Sequence, residues 1–259
     1  MLLKDSKKKN KVGIIIQARM GSKRFPGKIM KLINNKPILF HMLRQIKKSN
    51  LYDEIIFCTS IKKENDVVRK FCKKNKIICF SGSENNLVNR YYLTAKKNKI
   101  DVIVRLTADC PLIDPTIIDL CIKKFLSRNY DFVANTSPPY KKSYPDGVDV
   151  EVFSFKTIEI VNRECKSKND LEHVTPYIWR KKKRFNLFRF ELKKNLFKYR
   201  FTLDYKEDFI LIRKVLLNFY KKRKKITMKN VVNYIKQHKN VYLLNNKKIY
   251  LQNERKNNS

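Results

Sequence analysis

Residues 12–28 read VGIIIQARMGSKRFPGK: an apolar, β-branched run that breaks without warning into a loop of charges. The loop, 17–28, carries four cations (Arg19, Lys23, Arg24 and Lys28), the glycines Gly21 and Gly27, and Pro26. The whole 259-residue chain has only five glycines. Two of them in one charged loop mark a place where backbone comes close to something else. The apolar run has the length and composition of a strand buried on both faces. A buried strand that empties into a glycine-and-cation loop is the opening of an α/β nucleotide-binding unit.

Working outward, the same alternation repeats. Runs of strand length recur at 54–60 (EIIFCTS), 76–82 (KIICFSG), 102–108 (VIVRLTA) and 130–136 (YDFVANT). Helical patterns lie between them at 37–48, 64–75, 87–98 and 116–129. Asp114 and Pro115 open the last of these as cap and first-turn residue. Such an order predicts an α/β fold with a mostly parallel sheet, covered on both faces. After residue 136 the rhythm changes. A loop, SPPYKKSYPDG, leads to VDVEVFS at 148–154, whose apolar–acidic alternation predicts a half-exposed strand. Helices are expected at 155–166 and 171–183, then a strand pair from FNLFRFEL and YRFTLD, and two C-terminal helices. The simplest partition is one domain over 12–240, with a small inserted lobe at 137–200. Residues 1–11 are expected to form a disordered basic arm, and 241–259 a frayed tail.

Composition narrows the class. Hydrophobic residues make up 42% of the chain, which suits a globular core, but the formal charge is +37. The excess is mostly Lys, spread along a chain crowded with Lys, Asn and Ile, and reads as solvated surface from compositional bias rather than as a nucleic-acid face. The alternative, a basic nucleic-acid-binding protein, wants cations interleaved with aromatics on one face, and KKKR (181–184) and KKRKK (221–225) are not so placed. No apolar run approaches the roughly 18 residues of a membrane span. The N-terminus lacks a signal-peptide core. Six cysteines without a CxxC pair read as reduced core residues, so the expected compartment is the cytoplasm.

Ligands of such sheets sit at the carboxyl ends of the strands. The loop 17–28 suits a polyphosphate, because glycine admits backbone N–H groups close to oxygens and the cations neutralise charge. It is not a Walker A loop: five residues separate Gly21 from Gly27, and Ile29 follows Lys28. It also lacks the closely spaced glycine pair of a dinucleotide turn. A polyphosphate calls for a divalent cation, and carboxylates end two apolar runs, Asp109 after 102–108 and Asp204 after YRFTL. Arg105, just before the first, is a candidate for the base or ribose. His173 is a candidate base, although a lone histidine at a helix is more often a packing residue. Trp179, Tyr91 and Tyr92 read as core.

In order along the chain, IIQARMGSKRFPGK, GSENNLVNRYY, VRLTADCPLIDP, PDGVDVEVFSF, EHVTPYI and FTLDYKEDF resemble the motif series of cytidylyltransferases of surface-sugar biosynthesis. The likeness is to the spore-coat polysaccharide type, and more distantly to the synthetases that activate sialic acid and ketodeoxyoctonate with CTP. It implies a Rossmann-like nucleotide-diphospho-sugar transferase fold of three layers. It also implies that Ala18, Arg19, Met20, Gly21, Ser22, Lys23, Arg24 and Lys28 cradle the CTP triphosphate. Asp109 and Asp204 would hold Mg²⁺, and Arg19, Arg24, Lys28 and Asp109 would carry catalysis. Asp146, Gly147, Asp149, Glu151, Glu172 and His173 would lie near the sugar, and the 137–200 lobe could support a homodimer. Two positions depart from the pattern: Ala108 stands where the family has glycine, and Lys206 where it has proline. Another nucleotide or a neutral acceptor remains an alternative.

Overall fold

The computed structural model describes residues 9–138 and 143–246. Residues 1–8 of the expected basic arm and 247–259 of the expected tail lie outside the described residues.

The chain begins with β1 (Val12–Gln17), followed by a 3-10 turn at Lys28–Met30 and a small hairpin, β2 (Leu32–Ile33) and β3 (Lys36–Pro37). Then come α1 (Ile38–Ile46), β4 (Glu54–Ser60), α2 (Asp66–Lys74), β5 (Ile78–Gly82), α3 (Leu87–Lys97), β6 (Val102–Thr107) and α4 (Pro115–Ser127). The second half holds β7 (Phe132–Ala134), β8 (Glu151–Ser154), α5 (Phe155–Glu164), α6 (Lys168–His173), α7 (Pro176–Arg180) and β9 (Leu187–Arg189). It closes with α8 (Lys206–Lys221), α9 (Met228–Gln237) and α10 (Lys239–Tyr242).

The central sheet has the order β5–β4–β1–β6–β8–β7–β9. All pairings from β5 to β6 are parallel, β8 alone runs antiparallel to its neighbours, and β7 and β9 are parallel. This is the expected α/β fold with a mostly parallel sheet. Period-2 alternation explains the layers. Ile14 and Ile16 of β1, Phe57 of β4 and Val104 and Leu106 of β6 face α1, α2, α4, α8 and α9. Ile15, Ile56, Cys58 and Ile103 face α3, α5 and α7. Each fully buried aliphatic of this kind stabilises by about 1.5–3 kcal/mol relative to exposure.

The chain leaves β1 toward β4 and β5, then returns to the other side of β1 to form β6. The crevice at the carboxyl ends of β1 and β6 is therefore the topological switch point. Asp114 caps α4 through the Thr116 N–H at 2.9 Å and also accepts the first N–H of α9, from Met228, at 2.7 Å. Helix ends lack glycine. Lys76 and Lys99 take the left-handed position after α2 and α3, at φ 54° and 53°. The closing bonds still form there, Ile77 N–H to Cys72 C=O and Ile100 N–H to Ala95 C=O, both at 3.0 Å.

Five expectations change. The 148–154 strand is not half exposed: β8 is paired on both edges and buried, because its acidic face meets Arg105 rather than water. FNLFRFEL and YRFTLD do not pair with each other. The first supplies β9 beside β7, while the second makes only an isolated parallel bridge, Asp146 to Arg200. The helix expected over 171–183 breaks into α6 and α7 at Val174, whose φ is 68°. In the expected tail, Val241 and Asn245 are buried, and the Asn245 amide donates to the Arg200 carbonyl and the Asp208 carboxylate. Of the expected 137–200 lobe, β8 and β9 belong to the central sheet.

Candidate active site

The loop after β1 is fixed by its neighbours. The Met20 N–H donates to Asn65 Oδ1 at 2.8 Å, and the Asn65 amide donates to Ser60 Oγ at 2.8 Å, so the end of β4 holds the loop of β1. The Ser22 hydroxyl accepts the Phe25 N–H at 3.3 Å. Gly27 takes φ 65°, a turn that glycine makes at no steric cost, and delivers Lys28 into the 3-10 turn.

Lys28 then reaches the two strand-end carboxylates. Its Nζ lies 2.6 Å from Asp109 Oδ2 and 2.8 Å from Asp204 Oδ1. These aspartates are 95 positions apart in sequence, yet the Leu203 N–H donates to the Asp109 carbonyl at 2.8 Å and locks their strands' ends together. Arg24 adds a second cation, Nη2 at 2.6 Å from Asp204 Oδ1. Burial works against the charge on Lys28, but the Asp109 and Asp204 carboxylates outweigh it and raise its pKa. Burial likewise opposes ionisation of Asp204, yet the charges of Lys28 and Arg200 hold it well below the usual carboxylate range. The loop therefore presents Arg24 and Lys28 beside a carboxylate whose ionised form they favour.

Beneath Asp204 sits Arg200, 1% exposed, a residue with no mark in the sequence beyond its place in YRFTLD. It donates to Asp146 Oδ2 at 2.7 Å, Asp204 Oδ2 at 2.8 Å and Asp208 Oδ1 at 3.1 Å. Asp208 in turn accepts the Asp204 and Tyr205 N–H groups, both at 2.9 Å, and caps α8. Gly147 is required here. Its φ is 98°, and a Cβ would stand 2.3 Å from the Thr202 backbone nitrogen. Asp149 accepts the Gly147 N–H at 2.7 Å and tightens the same turn.

The remaining expected residues form two further groups. Arg105 is bound to the buried Glu151, whose other oxygen accepts the Thr175 hydroxyl at 2.9 Å. That carboxylate joins β6, β8 and the α6–α7 corner. Val174, strained by a positive φ that costs on the order of 1–3 kcal/mol in a β-branched residue, presents Thr175 to it. Arg19 stands apart from the Lys28 cluster, 3.9 Å from Glu84 and 3.7 Å from Glu172. Lys23 and His173 are exposed. Ala108 is buried and donates its N–H to the Gln17 carbonyl at 3.0 Å, so its methyl is accommodated beside Asp109.

The cytidylyltransferase family model matches residues 13–254, nearly the whole chain. The chain belongs to the cytidylyltransferase family. It is 36% identical over 207 residues to an uncharacterized protein of Methanocaldococcus jannaschii, covering 79% of this chain and 83% of that one. Identity to the spore coat polysaccharide biosynthesis protein SpsF of Bacillus subtilis is 29% over 211 residues, covering 79% and 85%. A solved cytidylyltransferase from Leptospira borgpetersenii matches with a TM-score of 0.84 at 33% identity, over 90% of this chain and 97% of that one.

For a cytidylyltransferase, the donor set suits a hard cation. The Lys28 ammonium occupies the position where Asp109 and Asp204 converge, standing in for a positive ion between two carboxylates. Among the described residues no cluster of three or more His, Cys, Asp or Glu could hold a metal alone. Two carboxylates completed by substrate phosphates is the pattern Mg²⁺ favours. Sequence reading missed the residues that orient this cytidylyltransferase site, namely Asn65, Arg200, Asp208 and Thr175. Arg200 in YRFTLD, Asp208 in FTLDYKEDF and Thr175 in EHVTPYI lay within stretches quoted for other members, whereas Asn65 lay in none. Among the described residues, no helix is long and apolar enough to cross a membrane.

Proposed function

We propose that the chain transfers CMP from CTP to a sugar hydroxyl with release of pyrophosphate. The observation that carries this reading is the convergence of Arg24 and Lys28, from the glycine loop, on Asp109 and Asp204. A sugar hydroxyl oxygen attacks the α-phosphorus in line and gives up its proton to solvent, its bond to phosphorus forms as the bond to the bridging oxygen breaks, and the electron pair leaves with pyrophosphate. Lys28 and Arg24 bind and neutralise the charge that grows on the leaving phosphates. Asp109 and Asp204 would hold Mg²⁺, which when bound supplies a Lewis acid for phosphate oxygens and a template for the reactants. Arg200 keeps Asp204 ionised and oriented before substrate arrives, which reduces reorganisation during the reaction.

On the acceptor side, Asp146 and Glu151 are committed internally to Arg200 and Arg105. Glu172 and His173, exposed at the end of α6, are then the better candidates to meet the sugar, with Arg19 beside Glu172. The resemblance to synthetases of sialic acid and ketodeoxyoctonate supports an acidic keto-sugar destined for a surface glycan. The test is pyrophosphate release with each of the four NTPs against a panel of acidic and neutral sugars in the presence of Mg²⁺. CTP with an acidic keto-sugar is the expected productive pair. Release with a different nucleotide or a neutral sugar would reassign the substrate, and release with none would overturn the enzyme reading.

A further inference from the structure

A second concavity, about 660 Å³ in volume, lies between the C-terminal ends of α1 and α8. Its rim carries Lys36, Arg44, Lys48, Arg223, Lys224 and Lys225, and among the described residues no Asp or Glu lines it. It is separate from the strand-end site. α8 spans 16 residues, about 24 Å at 1.5 Å per residue, with Asp208 in its first turn and Tyr220 in its last.

The floor is buried and hydrogen-bonded. His41, 1% exposed, lies between the Tyr220 hydroxyl at 2.7 Å and the Ile33 carbonyl at 2.9 Å. A carbonyl can only accept, so Nε2 carries a proton, and in the neutral ring Nδ1 accepts from the Tyr220 hydroxyl. Burial also lowers the His41 pKa, which favours this neutral form. The Arg44 guanidinium lies 4.7 Å from the centre of the Tyr220 ring. Lys48 donates to Gln45 Oε1 at 2.6 Å, and the buried Gln45 amide donates to the Ile226 carbonyl at 2.8 Å. Two rim cations are therefore oriented by contacts beneath them.

Cations at helix C-termini have a plain explanation in the helix dipole. Two helix ends together supply only about one negative charge, against six cations. Burial and then the neighbouring Arg44 and Lys225 charges lower the Lys48 pKa. We propose that this groove binds a short polyphosphate as a ligand separate from the reacting nucleotide. The volume falls within the range of small-molecule sites. Single-stranded nucleic acid wants open aromatic faces, and the Tyr220 ring already carries His41, stacked at 5.6 Å, as well as Arg44. The recognised group is the phosphate chain, whether inorganic or the tail of a nucleotide.

The test is calorimetric titration of the full chain with inorganic tripolyphosphate and, in a second arm, ATP. It compares wild type, the groove variant Arg44→Gln/Lys48→Gln/Lys225→Gln, and Lys28→Gln in the strand-end site. All three groove changes are at exposed side chains, and matching urea midpoints verify folding. Wild type is expected to show a binding phase that Lys28→Gln retains and the groove variant weakens about 10- to 100-fold. Equal affinity for tripolyphosphate and ATP in that phase assigns recognition to the phosphates. Much tighter ATP binding in it would overturn base-independent recognition. Superimposable curves for wild type and the groove variant, or loss of all binding in Lys28→Gln, would overturn the site. Tripolyphosphate that fails to bind, while an oligouridylate binds and loses affinity in the groove variant, would replace the small anion with nucleic acid.

Discussion

The buried Arg200 guanidinium donates to Asp204 Oδ2 across 2.8 Å and so connects a strand-end carboxylate to the interior of the fold. Because the same group also binds Asp146 and Asp208, its loss would leave three carboxylates facing one another. Lysine cannot reproduce the planar fork. Arg200→Lys keeps the charge and loses the fork, whereas Arg200→Met leaves the three carboxylates uncompensated and is expected to destabilise the protein by about 3–5 kcal/mol, the usual effect of removing one partner of a buried ionic network. Urea unfolding measures this. A cost below about 1 kcal/mol would show that Arg200 is not the hub its geometry describes.

Asp109 makes a different kind of prediction. Its carboxylate contacts Lys28, but Lys28 keeps Asp204 when Asp109 is removed, so the fold loses little. Asp109→Ala is expected to shift the urea midpoint by no more than about 1 kcal/mol equivalent. Under the proposed function it lowers kcat by about 1000-fold, the scale of a lost metal-ion contribution of several kcal/mol. Full activity in this variant would remove Asp109 from the metal site and from catalysis.

The parts of the fold set by periodicity were legible. The strand expected at 54–60 coincides with β4, and the helix over 87–98 differs from α3 by one residue. That Asp109 and Asp204 are both site carboxylates was legible from the apolar runs they end, but the sheet gathers only Asp109: the run before Asp204 is held by the Asp146–Arg200 bridge and by the Leu203 N–H bond to the Asp109 carbonyl. What stayed hidden depends on burial of charge. The alternation at 148–154 is genuine, but a partner for Glu151 cannot be seen from the alternation itself, and Arg105 turns the polar face inward. The break at Val174 hid for another reason. Pro176 lay inside the expected helix as its only warning, and nothing local announces a valine at φ 68°. Arg200 was invisible for a related cause: its role exists only once Asp146, 54 positions away, joins the nearby Asp204 and Asp208 around it.

The charge cluster also sets an acid limit on stability. Asp204 has a folded pKa well below its unfolded value, so the unfolded chain takes up the proton first as pH falls. Its contribution is therefore complete above about pH 4 and is lost progressively below it. Glu164, drawn down to about 2 by Arg184 and then Tyr177, acts in the same direction from a half-buried site. Urea midpoints are expected to fall between about pH 4 and pH 2, and Asp204→Asn is expected to flatten part of that fall. An unchanged slope in Asp204→Asn would assign the acid sensitivity elsewhere.

Thr175 tests the corner between α6 and α7. Its hydroxyl donates to Glu151 Oε1 at 2.9 Å, while Arg105 occupies Oε2. Thr175→Val keeps the shape and removes the donor, leaving a buried carboxylate oxygen without that bond at a cost of about 1–3 kcal/mol. Thr175→Ser restores the hydroxyl and should recover most of the stability. The corner also carries Glu172 and His173, two residues and one residue before Val174, so loosening it displaces the proposed acceptor side rather than the triphosphate loop. Steady-state kinetics with the productive pair should show KM for the sugar rising more than KM for CTP, about 10-fold against at most 2-fold if roughly 1.4 kcal/mol of positioning is lost. An equal rise in both would place the 172–175 corner outside the acceptor site and leave Thr175 a purely structural residue.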